Sequence, residues 1–174
     1  MKKLAAVLAA LWVAALPVYS QSADKIRVIA APGVTKTDPK DWKNTLTVSG
    51  QNLVLSCAKC TPTQSITTPV SDIAVLHYGQ NAYHHWVAGI ATGVLSLGAG
   101  LIVGLMPHHE HYFSIDQKDG KVIGVQADKD NYRQIAGMLQ NSTGLPIEVT
   151  AKEAHFMNGF NTKIVEAESK SAGK

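Results

Sequence analysis

The sequence predicts an α+β domain: a small antiparallel β-barrel or bent sheet closed by a C-terminal helix, with an apolar glycine-rich helical insertion. Three observations lead there. Short runs of alternating apolar and polar residues recur between turn signals, which is the pattern of half-buried strands in hairpins. A single amphipathic helix pattern follows them near the C-terminus. Between two of the strand-like runs lies residues 86–106, WVAGIATGVLSLGAGLIVGLM, with no charged residue in it.

The chain opens with Lys2 and Lys3, an apolar stretch at 4–16 and a small-residue site at Val18, Tyr19 and Ser20. That is the layout of a secretory signal, expected over 1–20. The formal net charge is +3, and without Lys2 and Lys3 it falls near +1. Charges are interspersed, and Arg27 and Arg133 are the two arginines. This excludes the basic footprint of a nucleic-acid binder.

A domain is expected over 25–149. It begins with a strand at 25–30 (KIRVIA), stopped by Pro32 and Gly33. Residues 45–48 and 53–55 make a hairpin around Ser49, Gly50, Gln51 and Asn52. A turn at 57–62 leads to a strand at 64–68, then to another at 70–78 that ends on Gly79. Beyond the apolar run, 111–115 is a strand. Asp119-Gly120 marks a two-residue hairpin into 121–126. Asp128 or Asp130 is placed to cap a helix whose inward face is Tyr132, Ile135, Ala136 and Leu139, and Gly144 followed by Pro146 stops it. Residues 150–174 read as a polar C-terminal tail without a core of its own.

The order of strand hairpin, SDIAVLHYGQ, apolar insertion and then HYFSIDQKDGKVIGVQADKDNYRQIAGMLQNSTG resembles small bacterial exported proteins with a pleckstrin-homology-like domain of unknown function. The resemblance covers about residues 45–149 and implies a fold and a non-enzymatic role. It transfers no ligand residue, because Ser49 to Asn52 carries no lysine or arginine where phosphoinositide-binding relatives have a basic loop.

As a straight helix, 86–106 would be about 31 Å long, close to the thickness of a bilayer core. Trp86 sits at its start. Gly89, Gly93, Ser96, Gly100 and Gly104 fall within an arc of about 80° at helical spacing, a small-residue stripe suited to close helix pairing in lipid. A single span conflicts with one sheet on both sides of it, whereas a hairpin turning at Gly98, Ala99 and Gly100 does not. The expected partners are therefore membrane lipid and a second copy of the chain, and the expected location is exported and membrane-associated in a bacterial cell envelope.

Two clusters could carry chemistry. Cys57 and Cys60 form a C-x-x-C, expected as a disulfide; a thiol-redox pair would need a helix N-terminus that Pro62 opposes. His84, His85, His108, His109 and His111 flank the apolar run and offer a Zn or Cu site as the alternative to interfacial residues. No cofactor is otherwise expected. No G-x-S-x-G, H-E-x-x-H or phosphate-binding glycine loop is present. The reading is a membrane-associated binding or assembly module, against an envelope metal-binding or thiol-redox protein.

Overall fold

The structure, a computed structural model, describes residues 20–38, 40–80 and 110–165. Residues 1–19 of the signal expected over 1–20, residues 166–174 of the expected tail, the apolar run with its small-residue stripe, and four of the five flanking histidines lie outside them. The described strands are β1 (Ser20–Ala30), β2 (Asn44–Ser49), β3 (Asn52–Ser56), β4 (Ser65–Pro69), β5 (Ile73–Gly79), β6 (His111–Gln117), β7 (Val122–Ala127), β8 (Ile147–Thr150) and β9 (Thr162–Val165), with one helix, α1 (Tyr132–Thr143), between β7 and β8.

They form one sheet in the order β4-β3-β2-β1-β7-β6-β5-β8-β9. The first seven strands pair antiparallel, while β8 runs parallel to β5 and β9 parallel to β8. With β4 and β9 as its two outer strands, the sheet is open rather than a closed barrel. The expected hairpin is β2–β3, turning at Gly50, whose φ of 60° suits a residue without a Cβ.

β1 joins the two antiparallel blocks. Its first half pairs with β2 and its second half with β7, and the register slips between Ala23 and Ile26. Lys25 there has a φ of 55°. Such a bulge leaves carbonyls outside the ladder, and buried carbonyls need donors. Asn131 Nδ2 donates to the carbonyls of Asp24 and Lys25, and Asn44 Nδ2 donates to that of Ile26 at 3.1 Å. The bend is thus tied to the start of α1.

That use of Asn131 explains a difference from the sequence reading. Neither Asp128 nor Asp130 caps α1; Asn131 precedes its first residue without a side-chain cap bond. Asp128 folds the turn instead, its Oδ1 accepting from the amide of Asp130 at 3.0 Å and its carbonyl from that of Tyr132 at 3.2 Å. The helix ends as expected, on Gly144 with a φ of 70° and an amide bond to the Gln140 carbonyl. Its buried face is Ile135, Ala136, Met138 and Leu139, with Tyr132 partly buried at the rim of the core.

The β6–β7 connection is longer than a two-residue turn. Gln117 and Lys121 are joined across it, and Gly120, at a φ of 82°, donates to the Gln117 carbonyl. This is the three-residue loop in which a left-handed glycine completes the turn.

The largest departure is beyond Gly144. Ile147 and Val149 of β8 are buried, and Met157, in a 3-10 turn at Ala154–Met157, is 1 % exposed. Residues read as a polar tail therefore enter the core and extend the sheet. The polar side of α1 holds them: Arg133 donates to the carbonyls of Phe156 and Asn158 at 2.9 and 2.7 Å, and Gln140 exchanges two hydrogen bonds with the backbone of Asn161.

Candidate functional site

In the sequence the apolar run lies between β5 and β6, and these two strands are neighbours in the sheet. Gly79 lies opposite Tyr112, and Tyr78 opposite Phe113. The residues around this opening form the best-built polar cluster among the described residues.

On the core side, strand alternation turns Tyr78, His111 and Phe113 inward together. Tyr78 Oη and His111 Nδ1 share a hydrogen bond of 2.7 Å. The first turn of α1 brings Tyr132 over them, its ring 3.7 Å from that of His111 and parallel to it. Phe156 meets His111 edge-on at 5.9 Å. Burial pushes the Tyr78 phenol well above its ordinary range, and Tyr132 and Glu153 push in the same direction. Burial holds His111 below the ordinary imidazole value, against the pull of Asp128. Both groups are therefore neutral near pH 7, and the pair is suited to positioning rather than to proton transfer.

The two ends of the opening are held by carboxylates. The amide of Gln80 donates to Glu153 Oε1 at 2.7 Å, and Thr150 Oγ1 donates to Glu153 Oε2 at 2.7 Å. At the returning end, Tyr112 Oη donates to Glu110 Oε2 at 2.5 Å, and Arg27 Nη2 lies 3.4 Å from the same oxygen. Arg27 also stacks over the Trp42 ring at 5.3 Å. Burial, and then the hydrogen bond to Glu110, push the Tyr112 phenol upward.

These placements bear on the residues expected to act. Cys57 and Cys60 form a disulfide, both sulfurs lying in the buried core between β3 and β4. No helix begins at either cysteine. Of the candidate metal ligands, His111 is described, and it faces the core with Nδ1 engaged by Tyr78. His84, His85, His108 and His109 lie outside the described residues, as do Trp86, Gly89, Gly93, Ser96, Gly100 and Gly104. Among the described residues, no three or more His, Cys, Asp or Glu side chains are grouped so as to hold a metal ion. No helix of the described residues is long and apolar enough to cross a membrane.

Sequence reasoning did not bring Glu153, Tyr132 or His77 to this site, although it set Tyr132 on the inward face of the helix. Glu153 and Tyr132 reach the opening only through the return of 150–157 and the docking of α1. His77 did carry a signal: it is the one strongly polar residue in the apolar stretch 73–78, set between buried Leu76 and Tyr78.

No family model matches the chain, and no curated protein does. Among solved structures the chain is similar to one described as the structure of the Spt16D Pob3N heterodimer, at 14 % identity and a TM-score of 0.42. The similarity covers 86 % of this chain and 62 % of that one, so the chain spans less than two thirds of its length. Neither figure is high enough for the likeness to bear on function.

Proposed function

We propose that this chain is an exported, membrane-associated binding or assembly module of a cell envelope, non-enzymatic, on a pleckstrin-homology-like domain. The observation that carries the reading is the pairing of Gly79 with Tyr112. It sets the residues that flank 81–109 side by side, which supports reading the charge-free run 86–106 as an excursion from one continuous sheet. The meander β1–β4, the meander β5–β7 and the helix after them, with β1 shared between the blocks, agree with the resemblance in the sequence.

The same pairing constrains how the run meets lipid. Paired strands hold Gly79 and Tyr112 about 5 Å apart, whereas a single crossing between them would put them on opposite sides of a core about 30 Å thick. Crossing and returning would need about 40 residues, and 81–109 supplies 29. In this reading the run enters the bilayer from one side and does not traverse it. Copies then pair through the stripe of Gly89, Gly93, Ser96, Gly100 and Gly104.

The test is fractionation with protease protection, using epitope tags at Lys40, an exposed loop position, and at the C-terminus. Membrane-bound protein with both tags cleaved from one side is expected. Replacing 82–108 by a short Gly-Ser linker should release the protein, and Gly93→Leu with Gly100→Leu should abolish cross-linking between copies. Soluble wild-type protein refutes membrane association, and tags on opposite sides refute one-sided entry.

A further inference from the structure

His77 stands on the outward face of β5, in register with Ser114 on β6 and Glu148 on β8, and Glu148 is in register with Lys163 on β9. Four adjacent strands thus carry one continuous polar row. His77 Nε2 lies 3.4 Å from Asp116 Oδ2, and His77 Nδ1 lies 3.3 Å from Glu148 Oε2. Ser114 Oγ donates to Asp116 Oδ1 at 2.6 Å, and Lys163 Nζ to Glu148 Oε1 at 2.8 Å.

We propose that His77 is a pH-dependent fastener of the β8–β9 edge, clasping it to the seven-stranded sheet as an imidazolium and loosening it on losing its proton. A neutral imidazole has one N–H and one lone pair, so it serves only one of two carboxylates and turns a lone pair to the other. The imidazolium donates to both, and it balances the row as Asp116⁻, His77⁺, Glu148⁻ and Lys163⁺. The strand pairing it spans is short: β5 and β8 share two register pairs, Leu76 with Ile147 and His77 with Glu148, and the other ties are the Glu153 bridge to Gln80 and the bonds from α1.

The surrounding groups pull both ways, and the net shift is upward. The hydrogen bond to Asp116 raises the His77 pKa most, burial opposes it, the charges of Asp116 and Glu148 add to it, and Lys163 opposes. Asp116 lies on β6 and acts on His77 whether or not the edge is docked, so the share linked to docking is the one the Glu148 carboxylate brings at 3.3 Å; that share gives stability that is complete below the undocked midpoint and is lost as pH rises through the docked one. The edge is therefore tight in mild acid and looser above that midpoint. Buried Ile147 and Val149 keep it docked most of the time in both states. When it opens, β5 becomes an edge strand with free backbone groups able to accept another strand.

The test uses the whole chain in non-ionic detergent. NMR of the imidazole resonances gives the His77 midpoint, and hydrogen exchange gives the protection of the β8 and β9 amides relative to their intrinsic rates. The expected result is a midpoint above the ordinary value of about 6.5. Protection of those amides should fall as pH rises through it, tenfold for each unit by which docking raises the pKa. The β2–β3 amides should not change, and His77→Gln should flatten the response. Should His77→Gln not fold, Glu148→Gln decides by lowering the midpoint. A midpoint at or below the ordinary value, an unchanged midpoint in Glu148→Gln, or the same loss of protection in His77→Gln overturns the proposal.

Discussion

Met157→Ala separates two views of the C-terminal residues. In a loose polar tail the substitution would be silent. Here Met157 is 1 % exposed and belongs to the core cluster, beneath a turn that α1 grips through Arg133. Removing the atoms beyond Cβ forfeits most of the transfer free energy of a buried methionine, about 1.5–3 kcal/mol. The space left adds a cavity penalty, bringing the total to about 2–5 kcal/mol. Urea unfolding followed by far-UV circular dichroism is the assay. With a slope of about 1–3 kcal/mol/M, the midpoint should drop by roughly 1–2 M. Ile164→Ala is the control, because Ile164 lies on β9 but is 59 % exposed; it should cost under about 0.5 kcal/mol. If Met157→Ala costs no more than Ile164→Ala, and the β9 amides exchange no faster, the segment is not packed as described. Loss of β9 protection without a global shift would instead place the cost in local opening of the edge.

Two further outcomes follow from the geometry. Tyr78→Phe keeps the ring stack but strips His111 Nδ1 of its partner in a buried site, so it should cost about 1–3 kcal/mol in the same unfolding assay; a neutral result would mean that water replaces the hydroxyl. Gly144→Ala meets no atom within 4 Å of its new Cβ, so its cost is purely conformational, about 1 kcal/mol from forcing alanine to a φ of 70°. Chemical denaturation measures it, and a larger loss would point to packing that the open space excludes.

The parts of the fold that the sequence revealed are those governed by near neighbours in the chain. Alternation at Thr45, Leu46, Thr47 and Val48, the turn at Gly50, the helical spacing of Ile135, Ala136 and Leu139, and the stop at Gly144 each depend on residues a few positions apart. The cap was misread for a similarly specific reason. Asp128 and Asp130 have the right chemistry, but the β1 bulge needed the amide of Asn131, and a bulge across more than a hundred residues of sequence leaves no local trace. The opening was half legible. The pattern Tyr78-Gly79 before the run and His111-Tyr112 after it marked the boundary, while Glu153, Tyr132 and Arg27 arrive from distant elements.

By itself the sequence determined that there are short strands, one amphipathic helix, a close C-x-x-C and a charge-free run between two strands. Spacing alone fixes periodicity, turns and hydropathy. Only the tertiary structure decided that the sheet stays open, that β8 and β9 add to it in parallel, and that His77 lies between two carboxylates. Parallel pairing joins segments separated by whole elements, and its four-residue strands carry too little periodicity to be read alone. The partners of His77, Asp116 and Glu148, are 39 and 71 residues away in the chain, and only the register of three strands brings them to the same imidazole.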